Sequence, residues 1–247
     1  MKKYFFSCIL FIAFVVLAGT NAYAQEKIIL GTLHYPPYEI ENPDDGLHGF
    51  DFEVITEAFR RMDVPLEIQF LPWKRALQKT TAGTFAGLFS CSGKRNTFHL
   101  SSPISSATDA LYVRKGFDIK KYNIRTITDL GKYPNLSVGG VAGYAHMKTL
   151  DKIGKKYDTS PDDTTVLKKL FAGRVDVFLT IQEFADHTLS KLGLSHLAEH
   201  VTLGQKQYHL CFSKSWPDVE ILKTSFNKTL KEMKADGSFS AIHAKYK

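Results

Sequence analysis

Cysteine is scarce in this chain: three in 247 residues. Cys8 lies in an apolar stretch at the start, so Cys91 and Cys211 are all that serve the body, too few for the disulfide framework of a small secreted scaffold. Whether they pair is open, because each sits in an apolar context that suits a buried thiol equally well. No Pro/Gly-rich linker and no low-complexity tract divides the chain, so any division into units runs through compact connections. After residue 25 no apolar run approaches the roughly 20 residues of a membrane span. The formal charge of +7 comes from cations spread along the chain. That spread excludes the clustered basic face with stacking aromatics that nucleic acid requires.

What is present begins with MKKYFFSCILFIAFVVLAGTNAYAQ: two lysines, an apolar run from Tyr4 to Ala18, then Ala22-Tyr23-Ala24. That order predicts a secretory signal peptide, residues 1–24, cleaved after Ala24, and a mature protein in the periplasm. Thr20 follows Leu-Ala-Gly where a lipoprotein would have cysteine. Removing the first 24 of the 247 residues leaves 223 and lowers the charge excess from +7 to +5, since Lys2 and Lys3 go too. Such a length holds one large domain or two of about 110 residues.

KIILGTL (27–33) predicts a strand, ended by the prolines of HYPPYEI. GFDFEVITEAFRRMDV places Phe52, Ile55, Phe59 and Met62 near helical spacing. LEIQFLP (66–72) predicts a strand, WKRALQKTTAG a short helix and TFAGLFSCS another strand; alternation of this kind makes a parallel sheet flanked by helices. The pattern recurs in NLSVGGV, AGYAHMKTLDKIGKKY and DDTTVLKKLFAGRVDVFLT. AGTFAGLFS (82–90) and AGRVDVFLT (172–180) form a weak internal repeat, which suggests two similarly built lobes. DALYVRKG (109–116) and QYHLCFSK (207–214) read as extended connections between them. PDVEILKTSFNKTLKEMKADG is a helix with Gly237 as its stop. The expected division is 25–112 with 207–247 as lobe one and 113–206 as lobe two, with two hinge crossings and a cleft. Ligands of such sheets bind beyond the carboxyl ends of the strands, here Tyr35 to Tyr38, Trp73 to Arg75, and Ser90 to Arg95.

With YPPYEIENPDDGLHGFDFEVITEAFRRM, AGRVDVFLT and NKTLKEMKADGSFSAIHAKY in that order, the chain resembles the family 3 extracellular solute-binding proteins, the polar amino-acid binding components of ABC importers. The resemblance implies the two-lobed periplasmic-binding-protein fold, type II, with each lobe a mostly parallel sheet flanked by helices. It also implies capture of a small polar, carboxylate-bearing solute and delivery to an inner-membrane ABC permease, by a monomer without a cofactor. By the same resemblance Tyr35, Tyr38 and Trp73 would sandwich the ligand, with Arg75 nearby. Arg95 would grip its carboxylate, with Lys94 as the alternative, and Ser90 and Ser92 would add donors. Tyr144 opens a lobe-two helix whose free N–H groups favour an anion. Where the family places the Asp that binds an α-ammonium stands Ile181; Glu183, two residues on, is the candidate replacement.

Rival chemistries find less in the chain. GKRN lacks the glycine and the Ser or Thr of a phosphate-binding P-loop. No Gly-x-Ser-x-Gly elbow surrounds Ser92, and no base is spaced to activate Ser92 or Cys91. A catalytic, dehydratase-like relative of the fold would need a cleft carboxyl, for which only Glu183 offers itself. His196, Glu199 and His200 spell the H-x-x-E-H pattern, whose two histidines would share zinc if the segment were helical.

Overall fold

The computed structural model describes residues 27–93 and 96–246; the expected signal segment and the Lys94–Arg95 pair lie outside the described residues. β1 (Ile28–Thr32) runs parallel to β2 (Leu66–Phe70) and to β3 (Gly87–Cys91), and α1 (Phe50–Arg61) and α2 (Trp73–Thr81) make the crossovers. The buried stripe of α1 is Val54, Ile55, Ala58 and Phe59. It keeps the expected i, i+3, i+4 spacing but is rotated from the predicted one, leaving Phe52 and Met62 at its margins. β6 (Val138–Val141) is parallel to β7 (Asp158–Ser160) and β8 (Val177–Ile181), with α3 (Ala145–Lys152) and α4 (Asp163–Phe171) between. The internal repeat has a structural counterpart. α2 and α4 both end at alanine (Ala82, Ala172), and each is followed by a glycine at positive φ, Gly83 at 78° and Gly173 at 72°, that leads into a strand.

Two long antiparallel strands join these parallel sets. β5 (Ser105–Arg114) pairs with β8 on one side and with β9 (Ala198–Ser213) on the other. β9 runs 16 residues, well beyond the expected QYHLCFSK; its first half pairs with β5, and its second half with β3 and with β4 (Phe98–Leu100). The strand order is therefore β2-β1-β3-β9-β5-β8-β6-β7. The β5–β9 register slips at Asp109, where Leu203 is the extra residue. A bulge of this kind bends and twists a ribbon locally. α5 (Gln182–Lys191) follows β8, and α6 (Val219–Ala235) returns to α1, where Phe226 and Phe59 meet at 6.0 Å between ring centroids. α7 (Ser238–Ala244) begins after Gly237, the predicted stop.

Cys91 and Cys211 are disulfide-bonded, closing β3 onto β9 across 120 residues of sequence. One glycine is fixed by a close approach: Gly49 has φ 96°, and a Cβ there would stand 2.3 Å from the Tyr38 carbonyl oxygen. The H-x-x-E-H zinc reading is overturned. His196 lies in a short 3-10 turn, whereas Glu199 and His200 lie in β9, so the residues alternate across a strand rather than share a helix face. His200 stacks on Tyr112 instead, with centroids 5.0 Å apart. Among the described residues no group of three His, Cys, Asp or Glu could hold a metal ion. No described helix is long and apolar enough to cross a membrane.

Candidate functional site

Prolines 36 and 37 deny the chain a continued strand after β1, and it folds instead into a turn in which the Tyr35 and Tyr38 amides donate to the Glu39 and Tyr35 carbonyls. The turn sends the two rings to different places. Tyr35 lines a cavity between the two parallel sets of strands, and Tyr38 sinks into the core with its hydroxyl donating to the Ser106 carbonyl at 3.0 Å. Trp73 at the start of α2, Ser90 and Ser92 at the end of β3, and Tyr144 before α3 line the same cavity. Of the predicted site residues, these five are brought together. Arg75 is exposed on α2 and does not line the cavity. Arg95 lies outside the described residues.

Rings from opposite sides narrow the cavity. Tyr35 stacks on Phe184 of α5, centroids 4.5 Å apart and planes 4° apart, and Tyr144 meets both Tyr35 and Trp73 edge-on at 6.1 and 6.2 Å. The cavity volume is about 30 Å³, room for a water molecule and not for an amino acid.

The polar groups around it are paired in a definite way. Ser90, at φ 56°, is a non-glycine residue in the left-handed region, and β3 slips register against β9 there. Its hydroxyl lies 2.7 Å from both Glu39 Oε2 and Asp51 Oδ2. A hydroxyl carries one hydrogen, so two such short contacts to acids require that one carboxyl be protonated. Burial pushes both up, Asp51 to about 7, and the Asp51 charge raises Glu39 as well. One arrangement has protonated Glu39 donate to Ser90 Oγ, which donates to Asp51 Oδ2, while Ser105 donates to the same oxygen at 3.0 Å and Thr32 to Glu39 at 3.2 Å, and Asp51 Oδ1 is buried with no partner among the described residues. The Ser90 hydroxyl is thus committed to the buried acids, not offered to the cavity as the sequence suggested.

Ile181, 1 % exposed, closes β8 with an apolar side chain. Glu183, the candidate replacement for a missing acid, accepts from the Thr108 amide at 3.0 Å and hydroxyl at 2.8 Å, tying α5 to β5, and does not line the cavity. Asp163 of α4 accepts from Tyr144 Oη at 2.6 Å and Thr180 Oγ1 at 2.9 Å, and burial pushes it up to about 7.

Three residues that sequence reasoning passed over complete the lining: His146, Lys206 and Tyr208. His146 Nε2 and Lys206 Nζ lie 2.7 Å apart and at 2.6 and 2.5 Å from Asp109 Oδ1, the residue at the β5–β9 bulge. Burial alone would raise the Asp109 carboxyl, but His146 and Lys206 outweigh it and hold it at about 2. His146 and Lys206 are both pushed down by burial, His146 further by the Lys206 charge. A trace was present in the sequence: Lys206 and Tyr208 sit two apart on a strand and so share a face, and His146 follows Gly143-Tyr144 in the first turn of α3. Asp109 had no such signal.

Residues 28–247 match the profile of the bacterial extracellular solute-binding proteins, family 3. "Probable amino-acid-binding protein YxeM" of Bacillus subtilis is 25% identical, covering 100% of this chain and 95% of its own length. "L-cystine-binding protein TcyJ" of Escherichia coli K12 is 21% identical over 86% of this chain and 79% of its own. The crystal structure of an ABC uptake transporter substrate binding protein from Streptococcus pneumoniae with bound histidine superposes with a TM-score of 0.74 at 19% identity, over 89% of this chain and 92% of that one. The fold is the two-lobed, open-sheet α/β arrangement of the type II periplasmic binding proteins, and the curated relatives carry the names of binding proteins. With a profile match from residue 28 to residue 247, this chain belongs to the bacterial extracellular solute-binding proteins of family 3.

Proposed function

We propose that the protein captures a small polar, carboxylate-bearing solute between two lobes, as a monomer in the periplasm, and hands it to an inner-membrane ABC permease. The observation that carries this reading is the cavity itself, lined by Tyr35, Trp73, Ser92, Tyr144, His146 and Lys206 from both sets of strands. Its volume of about 30 Å³ means that a solute enters only when the lobes part. The lobes would move about the β5–β9 ribbon, which bends at the Asp109 bulge. On this reading the chain would pass between the lobes within the ribbon, residues 105–114 and 198–208.

Opening is inexpensive, because an aromatic pair contributes about 0.5–1.5 kcal/mol beyond its buried area. Closure on a solute replaces ring–ring contacts by ring–solute contacts and adds charge-assisted hydrogen bonds, each about 1.5–3 kcal/mol. Micromolar capture needs about 8 kcal/mol, so groups of both lobes have to act. Arg95, four residues past β3 in the sequence, is a candidate for the solute's acid. Binding is favoured over catalysis because Glu183, the carboxyl that a dehydratase-like relative would use, has both oxygens engaged by Thr108. The amino-acid and cystine binding named for the relatives makes those solutes the first to try.

A thermal-shift screen of amino acids, organic acids and amines tests the reading. A true ligand at about 100 times its Kd stabilises by about 2.7 kcal/mol. Arg95→Ala should weaken an acidic ligand about ten-fold or more. A screen in which nothing raises the melting temperature would refute solute capture.

A further inference from the structure

We propose that Asp109 reads the ammonium of the solute, filling from the neighbouring strand the place left without an acid at Ile181, so that the site selects an α-amino acid over the same acid lacking the amine. This assignment rests on the solute-binding reading and names the residue that sets what the site selects.

Strand register puts Asp109 in that place. β5 and β8 run antiparallel, and Asp109 is the direct partner of Ile181. Residues directly opposite in such a pair share a face of the sheet, with Cβ atoms about 4.5–5.5 Å apart. The acid missing at 181 is thus present one strand over, on the side that Ile181 faces. Two cavity residues tie it to the site: His146 and Lys206 reach Asp109 Oδ1 at 2.6 and 2.5 Å. Both contacts fall on that one oxygen. Oδ2 has no partner among the described residues, and the Asp109 side chain keeps 17 % of its surface exposed. Burial would raise the carboxyl, yet His146 and Lys206 hold it at about 2, so it is charged at neutral pH.

The other acids near the cavity are committed or sealed. Both Asp163 oxygens accept from Tyr144 and Thr180, and both Glu183 oxygens accept from Thr108. Glu39 is fully buried against Thr32 and Ser90. Asp51 Oδ1 lacks a partner among the described residues, but the whole residue is 0 % exposed. Of these acids, only Asp109 has an oxygen that is both unpaired and on a side chain open to solvent.

The charges suit a zwitterion. Asp109 and Lys206 present opposite charges side by side, and an α-amino acid carries its ammonium and carboxylate one carbon apart. Laid head to tail against the pair, the ammonium meets Oδ2 and the carboxylate meets Lys206. Lys206 by itself would repel the ammonium, and the solute's own carboxylate offsets that. The same acid without its amine meets Lys206 equally well but leaves Oδ2 facing a second anion, so a charged hydrogen bond is lost and a like-charge contact is gained.

The test uses matched pairs titrated into the full mature chain by calorimetry: phenylalanine and phenylpropionate, histidine and imidazolepropionate, leucine and isocaproate. In any pair that binds, the amino acid should be preferred over its des-amino partner by about ten-fold or more. Asp109→Asn should bring that ratio within about three-fold. A merely structural role would weaken both members together and leave the ratio unchanged. Because Asp109→Asn strands the Lys206 charge, Asp109→Asn/Lys206→Gln is made as well; both members of a pair lose the same cation, so the ratio still reports on Asp109. Circular dichroism confirms that the variants fold. A des-amino acid that binds as well as its amino acid, or an unchanged ratio in either folded variant, would overturn the proposal while leaving solute capture standing. Should neither variant fold, the wild-type ratios decide, since no other acid beside the cavity has an open oxygen. If no member of any pair binds, the proposal falls, and solute capture then depends on the wider screen.

Discussion

The buried acid pair makes a sharp prediction about stability and pH. Asp51 is fully buried, and its carboxyl is pushed from 3.8 to about 7. A carboxyl whose folded pKa is raised contributes its full stability below the unfolded value, near 3.9, and loses it as pH rises through the folded value. Each unit of separation is worth about 1.4 kcal/mol, so between about pH 5 and about pH 8 the Asp51 contribution should fall by about 3 kcal/mol. Asp51→Asn keeps the size of the side chain and gives Ser90 and Ser105 a neutral partner that does not ionise. Measured by urea unfolding across this range, the variant should therefore gain about 3 kcal/mol on the wild type from the acid end to the alkaline end, whatever its stability at about pH 5. Glu39→Gln, whose amide can donate to Ser90 as the protonated acid does, should fold and bind normally, whereas Glu39→Ala leaves buried hydroxyls without their partner. If the wild type and Asp51→Asn keep parallel stability curves from about pH 5 to about pH 8, the Asp51 carboxyl does not titrate in that range and its raised value is wrong.

Other consequences can be measured as directly. Tyr35→Ala removes the ring that stacks on Phe184 and touches Tyr144, so the unliganded chain should show a larger radius of gyration by small-angle scattering; an unchanged value would mean that these rings do not hold the lobes together. Replacing both Cys91 and Cys211 by serine frees a 120-residue separation and should cost about 2–5 kcal/mol in denaturant unfolding; a loss below about 1 kcal/mol would show that the link does little to restrict the unfolded chain. Gly49→Ala places a Cβ against the Tyr38 carbonyl at a positive φ, and should lower stability by about 2 kcal/mol or more with a visible fall in melting temperature; a neutral substitution would contradict the backbone geometry.

Much of the fold was legible because it rests on local pattern. The strands of 27–33, 66–72 and 135–141 and the helices over 50–61 and 219–235 follow from hydrophobic period and stop signals, which neighbouring residues carry by themselves. β9 was read too short, because its first half, Ala198–Gln207, is half-exposed and polar; only pairing with β5 makes it a strand. The same pairing undid the zinc pattern at His196–His200, since five residues spell a motif without choosing between helix and strand.

The sequence by itself determined the class of architecture and the aromatic and hydroxyl residues at the strand ends, because each depends on residue type at a short spacing, while the family resemblance supplied the comparison in which Ile181 stands at the place of an acid. Tertiary structure decided which groups are free. Ser90 and Glu183 look like ligand donors in sequence, yet Glu39 and Asp51 occupy the one and Thr108 the other. Lys206 and His146, 60 positions apart, look like solvated surface until the β5–β9 ribbon brings them to Asp109. A hydrogen bond is satisfied by proximity in space, and the chain order does not record it.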